Sequence, residues 1–368
     1  MIIRRDNDSI SSRDLVVDCG NSGTTTRLAM GLHCAEPGRF VLVGDRSLSR
    51  RPMERVASPL RRLGAHIETT AGALPVRIEG RELDGGESHG VITVESAQVH
   101  TAVVIAALRS RAGASIYAAR PMRDHTLRML PLFGVTVNES ESGVIRVLPA
   151  EVNRDVVIKV PGDFSSAAFM IAAAILVDGS RVTIENVGLN PTRIAFVRAL
   201  KRMGADVSIN ASDDREPHGS IHANYSPDLI ACTFGGDDDS DVSVTGMIDE
   251  LPLLALIATQ AAGTTRIRDA DELRVKESDR IRSTANVLRA LGATVIEHPD
   301  GLEIDGPQTL TGGTAIDPSG DHRLAMMAAV GAMIARSGAV IENAHVADIS
   351  YPSYWDDLAA IGATVKRI

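Results

Sequence analysis

Aromatic side chains are scarce, with one tryptophan, four tyrosines and six phenylalanines making up 3% of 368 residues. That argues against the stacking platforms on which single-stranded nucleic acids are gripped. Cysteine is also rare. Cys19, Cys34 and Cys232 form no Cys-x-x-Cys pair and leave an odd count, so reduced thiols are expected rather than a disulfide framework or a thiolate metal site. No long hydrophobic run exists. Apolar stretches such as 325–335 are too short to span a bilayer, and the charged opening MIIRRDNDSISSRD lacks the apolar core of a signal peptide. Nor is there an excess of positive charge: 38 Lys and Arg face 47 Asp and Glu, a formal charge of −9. Wholesale attraction to nucleic acid or anionic lipid is therefore excluded, and any anion must be bound locally.

What remains is a soluble chain with 44% hydrophobic residues, enough for more than one core, and two domains are the natural expectation. One phrase recurs five times: an apolar helix end, Gly, usually Ala, one variable residue, then Val or Ile. The copies are LRRLGAHIE, LPLFGVTVN, LKRMGADVSI, LRALGATVIE and LAAIGATVKRI, around Gly64, Gly134, Gly204, Gly292 and Gly362. Successive intervals are 70, 70, 88 and 70 residues. Val287, Leu288 and Leu291 share one helix face, Gly292 ends that helix with φ > 0, and the next residues resume as a strand. Helix-Gly-Ala-strand is common in any α/β protein, but that does not account for the equal steps. Further helices are predicted at 97–107, 165–176 and 251–260, so each copy is an α/β unit. One more step upstream from Gly64 falls just ahead of Met1, where a sixth copy is expected. The phase changes near Val160-Pro161-Gly162, which marks a hinge, and the ligand site is expected in the cleft between the halves.

Four polar motifs introduce apolar helices. Gly20-Asn21-Ser22-Gly23-Thr24-Thr25-Thr26-Arg27 would offer a helix start and close backbone approach to an anion, although such a loop is as often a structural cap. In Leu273-Arg274-Val275-Lys276-Glu277-Ser278-Asp279-Arg280-Ile281, a helix from about Lys276 would put Lys276 and Arg280 on one face beside Glu277; a solvated charged helix would look similar. Gly320-Asp321-His322-Arg323 precedes a strongly apolar helix and aims Arg323 outward, and Ile248-Asp249-Glu250 opens another, where acids often merely cap.

Taken together, GNSGTTTRL, GDRSLSRRPMERV, ESAQVHTAV, RDHTLRML, PGDFSSAAFMIAAA, GLNPTR, IDELPLLA, ELRVKESDRI and GDHRLAMM resemble, in order, the motifs of 5-enolpyruvylshikimate-3-phosphate synthases, within the enolpyruvyl transferase family. The resemblance runs from Asp18 to Ile368. It implies an α/β fold of two domains, an inside-out α/β barrel in which each domain holds three βαβαββ copies. Five of six would be present, two in a first lobe at 1–160 and three in a second at 161–368. It implies transfer of an enolpyruvyl group from phosphoenolpyruvate to shikimate 3-phosphate, in the shikimate pathway of aromatic amino acid biosynthesis, by a cytoplasmic monomer without metal or organic cofactor. Neither nucleic acid nor membrane is an implied partner.

By the same resemblance Asn21, Gly23, Arg51, Gln98, Lys276, Arg280 and Arg323 would hold phosphoenolpyruvate, whose two anionic groups suit guanidinium forks. Ser96, Gln98, Asp249 and Lys276 would contact the phosphoshikimate. Asp249 would activate the attacking hydroxyl, Glu277 would protonate and later deprotonate C3 of the donor, and Lys276 would share the proton traffic. Ala97 stands where other members carry serine, and Glu272 where some carry asparagine. The Ser-Lys-Ser-x-Thr-x-Arg stretch that opens the family's first repeat has no counterpart here. Three other readings stay open: a sister enzyme acting on a UDP-amino sugar, whose catalytic cysteine loop is not matched near Arg120-Pro121-Met122-Arg123; a secondary-metabolism transferase with another acceptor; and a non-catalytic binding protein on the same fold.

Overall fold

A computed structural model describes residues 14–86, 90–94, 96–118, 122–152, 155–236 and 242–368. The chain divides into two compact units, one ending at Ile158 and the other running Lys159–Ile368. The copy expected ahead of Met1, and the Arg120-Pro121 part of the loop considered above, lie outside the described residues.

In the first unit, β1 (Leu15–Asp18), α1 (Gly23–His33), β2 (Gly38–Val43), α2 (Glu54–Arg61), β3 (His66–Thr70) and β4 (Ala73–Gly80) follow one another. They build a sheet of order β1-β2-β4-β3, in which β1 runs parallel to β2 and the other pairs are antiparallel. The arrangement repeats with β5 (Val91–Val94), α3 (Ala97–Leu108), β6 (Ala114–Ala118), α4 (His125–Met129), β7 (Val137–Glu139) and β8 (Val144–Val147), in the order β5-β6-β8-β7.

In the second unit the third copy comprises α5 (Phe164–Leu176), β9 (Arg181–Gly188), α6 (Ala195–Arg202), β10 (Val207–Ala211) and β11 (His218–Asn224). A single parallel bridge from Gly162 to Val187 stands where a first strand would lie. The fourth is complete: β12 (Thr233–Phe234), α7 (Leu251–Ala258), β13 (Gly263–Ile267), α8 (Arg280–Ala290), β14 (Ile296–His298) and β15 (Gly301–Gly306), ordered β12-β13-β15-β14. The fifth holds β16 (Ala315–Ile316), α9 (His322–Ile334), β17 (Val340–Ile341) and α10 (Tyr354–Ala360), and no strand follows it among the described residues.

The five marker glycines all carry positive φ, at 94°, 84°, 85°, 97° and 110° for Gly64, Gly134, Gly204, Gly292 and Gly362. Each lets the chain leave a helix or 3-10 turn through a conformation that a Cβ would strain. Helices α5 and α7 are apolar on nearly every side, and with α9 they pack on one another to form the centre of the second unit. In the first unit α1 and α3 pack so closely that an ideal Cβ on Gly31 would lie 2.2 Å from the carbonyl oxygen of Ala102. No helix among the described residues is long and apolar enough to cross a membrane.

Candidate active site

The starts of α5, α7 and α9 bring polar residues from three copies together in the second unit. Arg280, the first residue of α8, lies among them and is only 1% exposed. Its Nε donates to Oδ2 of Asp321 at 2.8 Å, its Nη1 to Oδ1 of Asp249 at 3.2 Å, and its Nη2 to Oε2 of Glu277 at 2.6 Å. Burial alone would lower the guanidinium pKa, but the Asp321, Glu277 and Asp249 carboxylates reverse this and raise it.

Asp321, wholly buried, also accepts from Oγ of Ser278 at 3.1 Å and caps α9 by accepting the Arg323 backbone N–H at 3.0 Å. Burial would raise its carboxyl pKa, and the Arg280 charge overrides that to hold it below the usual range. Arg323 is 16% exposed in its side chain, with Nη2 at 3.9 Å from Oδ2 of Asp249, so it turns towards this cluster more than outward.

Of the adjacent acids Asp249 and Glu250, the second stands at the start of α7 without a capping bond from its side chain. Glu250 points into the interior, where its Oε1 accepts from Oγ of Ser165 at 2.5 Å and Ser165 accepts from Nη2 of Arg193 at 2.7 Å. Burial raises the Glu250 pKa, Arg193 opposes the rise and Asp249 adds to it.

Lys276 departs from expectation. It is not helical: a 3-10 turn occupies Asp271–Val275, Lys276 is extended at φ −81° and ψ −152°, and α8 begins only at Arg280. The predicted shared helix face of Lys276 and Arg280 therefore does not form. The cause is Asp279, which accepts the Arg282 backbone N–H at 3.1 Å and so fixes the helix start after Lys276. Lys276 instead donates from Nζ to Oε1 of Glu272 at 3.2 Å, with 23% of its side chain exposed.

In the first unit Asn21, Gly23 and Arg51 come together. Ser22 caps α1, Nδ2 of Asn21 donates to Oδ2 of Asp45 at 2.5 Å, and Nη2 of Arg51 donates to Oδ1 of Asn21 at 3.2 Å. A Cβ on Gly23 would meet Nη1 of Arg51 at 3.2 Å. The Asp45 carboxyl is held below its ordinary pKa chiefly by the Leu48 backbone N–H. Ser96 caps α3 by accepting the Val99 N–H at 3.3 Å. Gln98 ties α3 to α1, its Nε2 donating to Oγ1 of Thr24 at 2.7 Å and its Oε1 accepting from Arg27.

Reading the sequence singled out no role for Asp321, Ser278, Ser165, Arg193, Asp45 or Arg27. Only Asp321 carried a clear signal, an acid immediately before an apolar helix; the others depend on partners distant in sequence.

A family model described as EPSP synthase (3-phosphoshikimate 1-carboxyvinyltransferase) matches residues 1–358. The chain belongs to the EPSP synthase family. Among its relatives, the 3-phosphoshikimate 1-carboxyvinyltransferase of Bacillus subtilis (strain 168) is 40% identical over 355 residues, covering 95% of this chain and 81% of the relative. That of Synechococcus sp. (strain RCC307) is 43% identical over 364 residues, covering 96% and 81%. A solved EPSP synthase from Acinetobacter baumannii superposes with a TM-score of 0.81 at 34% identity, over 96% of this chain and 80% of that one. The enolpyruvyl transferase NikO from Streptomyces tendae, at TM-score 0.67 and 18% identity, over 87% and 73%, shares the fold. The EPSP synthase family and its enolpyruvyl transferase architecture thus agree with the βαβαββ copies described above.

Proposed function

We propose that the chain transfers the enolpyruvyl group of phosphoenolpyruvate to the 5-hydroxyl of shikimate 3-phosphate and releases phosphate. The observation that supports this most strongly is that Asp249 and Glu277 sit on adjacent nitrogens of one buried guanidinium, that of Arg280. Two carboxylates held that way can divide acid and base work on one substrate pair.

Asp249 takes the hydroxyl proton as the oxygen attacks C2 of the donor, while Glu277 delivers a proton to C3. Glu277 then recovers a C3 proton as the C2–O bond to phosphate breaks, restoring the double bond in the product, and the proton held by Asp249 leaves with the phosphate. Lys276 and Arg323, both partly exposed, offset the phosphate charge as it departs. Arg280 meets the donor carboxylate by exchanging it for one of its present partners. Asn21, Gly23, Arg51 and Gln98 contribute further donor contacts, and Ser96, Gln98, Asp249 and Lys276 hold the acceptor. The chain works as a cytosolic monomer in this reading, which sedimentation checks.

Phosphate release measured with both substrates present, and with each alone, tests the proposal. Release that requires both is expected, whereas acceptor binding without any release would favour a non-catalytic binding protein. Lys276→Ala and Glu277→Ala should each lower kcat by about 10²–10⁴-fold in a chain that still folds, and near-normal turnover would refute their roles.

A further inference from the structure

Arg274 has no part in that chemistry, yet its guanidinium is bonded along its whole edge. Nη1 donates to both oxygens of Asp279 at 3.1 and 2.9 Å and to Oε1 of Glu297 at 3.1 Å. Nη2 donates to the carbonyl oxygen of His298 and Nε to that of Pro299, each at 2.6 Å. These acceptors belong to the cap of α8, to β14 and to the turn after it, which are rigid parts of the fourth copy. Between Arg274 and Asp279 lies the bend carrying Lys276, Glu277 and Ser278, which is neither helix nor strand. Its crest is tied down by Glu277 to Arg280 and Ser278 to Asp321. Arg274 closes its base.

We propose that Arg274 is a positioning residue for the reaction: by joining Asp279 to the β14 edge it holds the bend that presents Lys276 and Glu277. The inference rests on the roles given to those two residues above. A planar fork is required, because five acceptors spread around one guanidinium cannot be served by the compact ammonium of lysine. A displacement of about 1 Å in a catalytic group can lower a rate by about 10²-fold.

The test uses the full chain with Arg274→Lys and Arg274→Met, alone and combined with Glu277→Gln. The lysine variant should lose about 100-fold in kcat with the protein folded. In the Glu277→Gln background the same replacement should cost less than it does in the parent, because part of its effect acts through the group already removed. Full additivity would overturn the proposal, as would an Arg274→Lys variant of normal kcat. Amide hydrogen exchange supplies a readout independent of turnover. Amides in 275–279 should exchange about 10-fold faster in the variants while those of α5 stay as they were. Unchanged exchange there would also overturn it. A parent chain that releases no phosphate would instead count against the proposed activity, leaving the exchange result to decide the clamp. If the methionine variant does not fold, the lysine variant carries both readouts.

Discussion

Replacing Arg280 by methionine removes a buried charge while keeping much of its length, and the structure dictates both the size and the pH dependence of the result. Three carboxylates then lose the guanidinium they share: Asp321 is fully buried, while Asp249 and Glu277 keep 14% and 28% exposure of their side chains. Removing one partner of a buried pair costs about 3–5 kcal/mol, a large share of the about 5–15 kcal/mol that holds a domain together. For a body of this size that is a fall of about 6–20 °C in melting temperature.

The sign with pH follows from linkage. In the variant burial of Asp321 is no longer opposed by the Arg280 charge, so its folded-state pKa rises above the unfolded value of about 3.9. The native state then binds more protons in that window, so stability falls as pH rises through it and recovers on acidification. The parent behaves oppositely. Its Asp321 pKa is depressed, so that contribution is present above about pH 3.9 and is lost as pH falls through the folded value. Thermal and urea denaturation at intervals from pH 8 to pH 3 would show the variant gaining on the parent as the solution is acidified. A variant as stable as the parent at pH 7, or one that weakens in parallel with it in acid, would refute the reasoning.

Gly31→Ala drives a methyl into the Ala102 carbonyl at 2.2 Å, and such overpacking should cost at least about 1–3 kcal/mol in the first unit alone; exchange of α3 amides against those of α5 reads the difference. Gly23→Ala places its methyl 3.2 Å from Nη1 of Arg51 and should displace the guanidinium from Asn21, raising KM for phosphoenolpyruvate with little change in melting temperature. An unaltered KM would count against Arg51 as a donor contact. Ser165→Ala removes the hydroxyl that donates to buried Glu250 and should destabilise the second unit by about 1–3 kcal/mol, measured by urea unfolding.

Much of the fold was legible because its punctuation is local. Gly64, Gly134, Gly204, Gly292 and Gly362 each needed positive φ, and a glycine ahead of Ala-x-Val signals that need without any tertiary information. The helices predicted at 97–107 and 165–176 formed for the same reason, as apolar runs following the N-caps Ser96 and Asp163. The bend at Lys276 was not legible. The run Arg-Val-Lys-Glu-Ser-Asp-Arg reads equally well as a solvated helix; the Asp279 cap that breaks it is local, but the groups that hold the bend, Asp249, Asp321, Glu297 and the Pro299 carbonyl, come from elsewhere in the sequence. Arg280 illustrates the same limit: a cation expected to await a ligand is instead surrounded by acids. Gln98, expected at the substrates, is bonded to Thr24 and Arg27 across a packing contact between α1 and α3.

The meeting of the α5, α7 and α9 starts has an electrical consequence. Each helix carries the equivalent of about half a positive elementary charge at its N-terminal end, and three such ends converge around Asp163, Glu250 and Asp321. The backbone there offsets part of the charge of those three carboxylates, and because it is buried it is screened by dissolved ions less than charges at the surface are. Added salt should therefore weaken the ion pairs at the surface while leaving this compensation between backbone and buried acids largely intact.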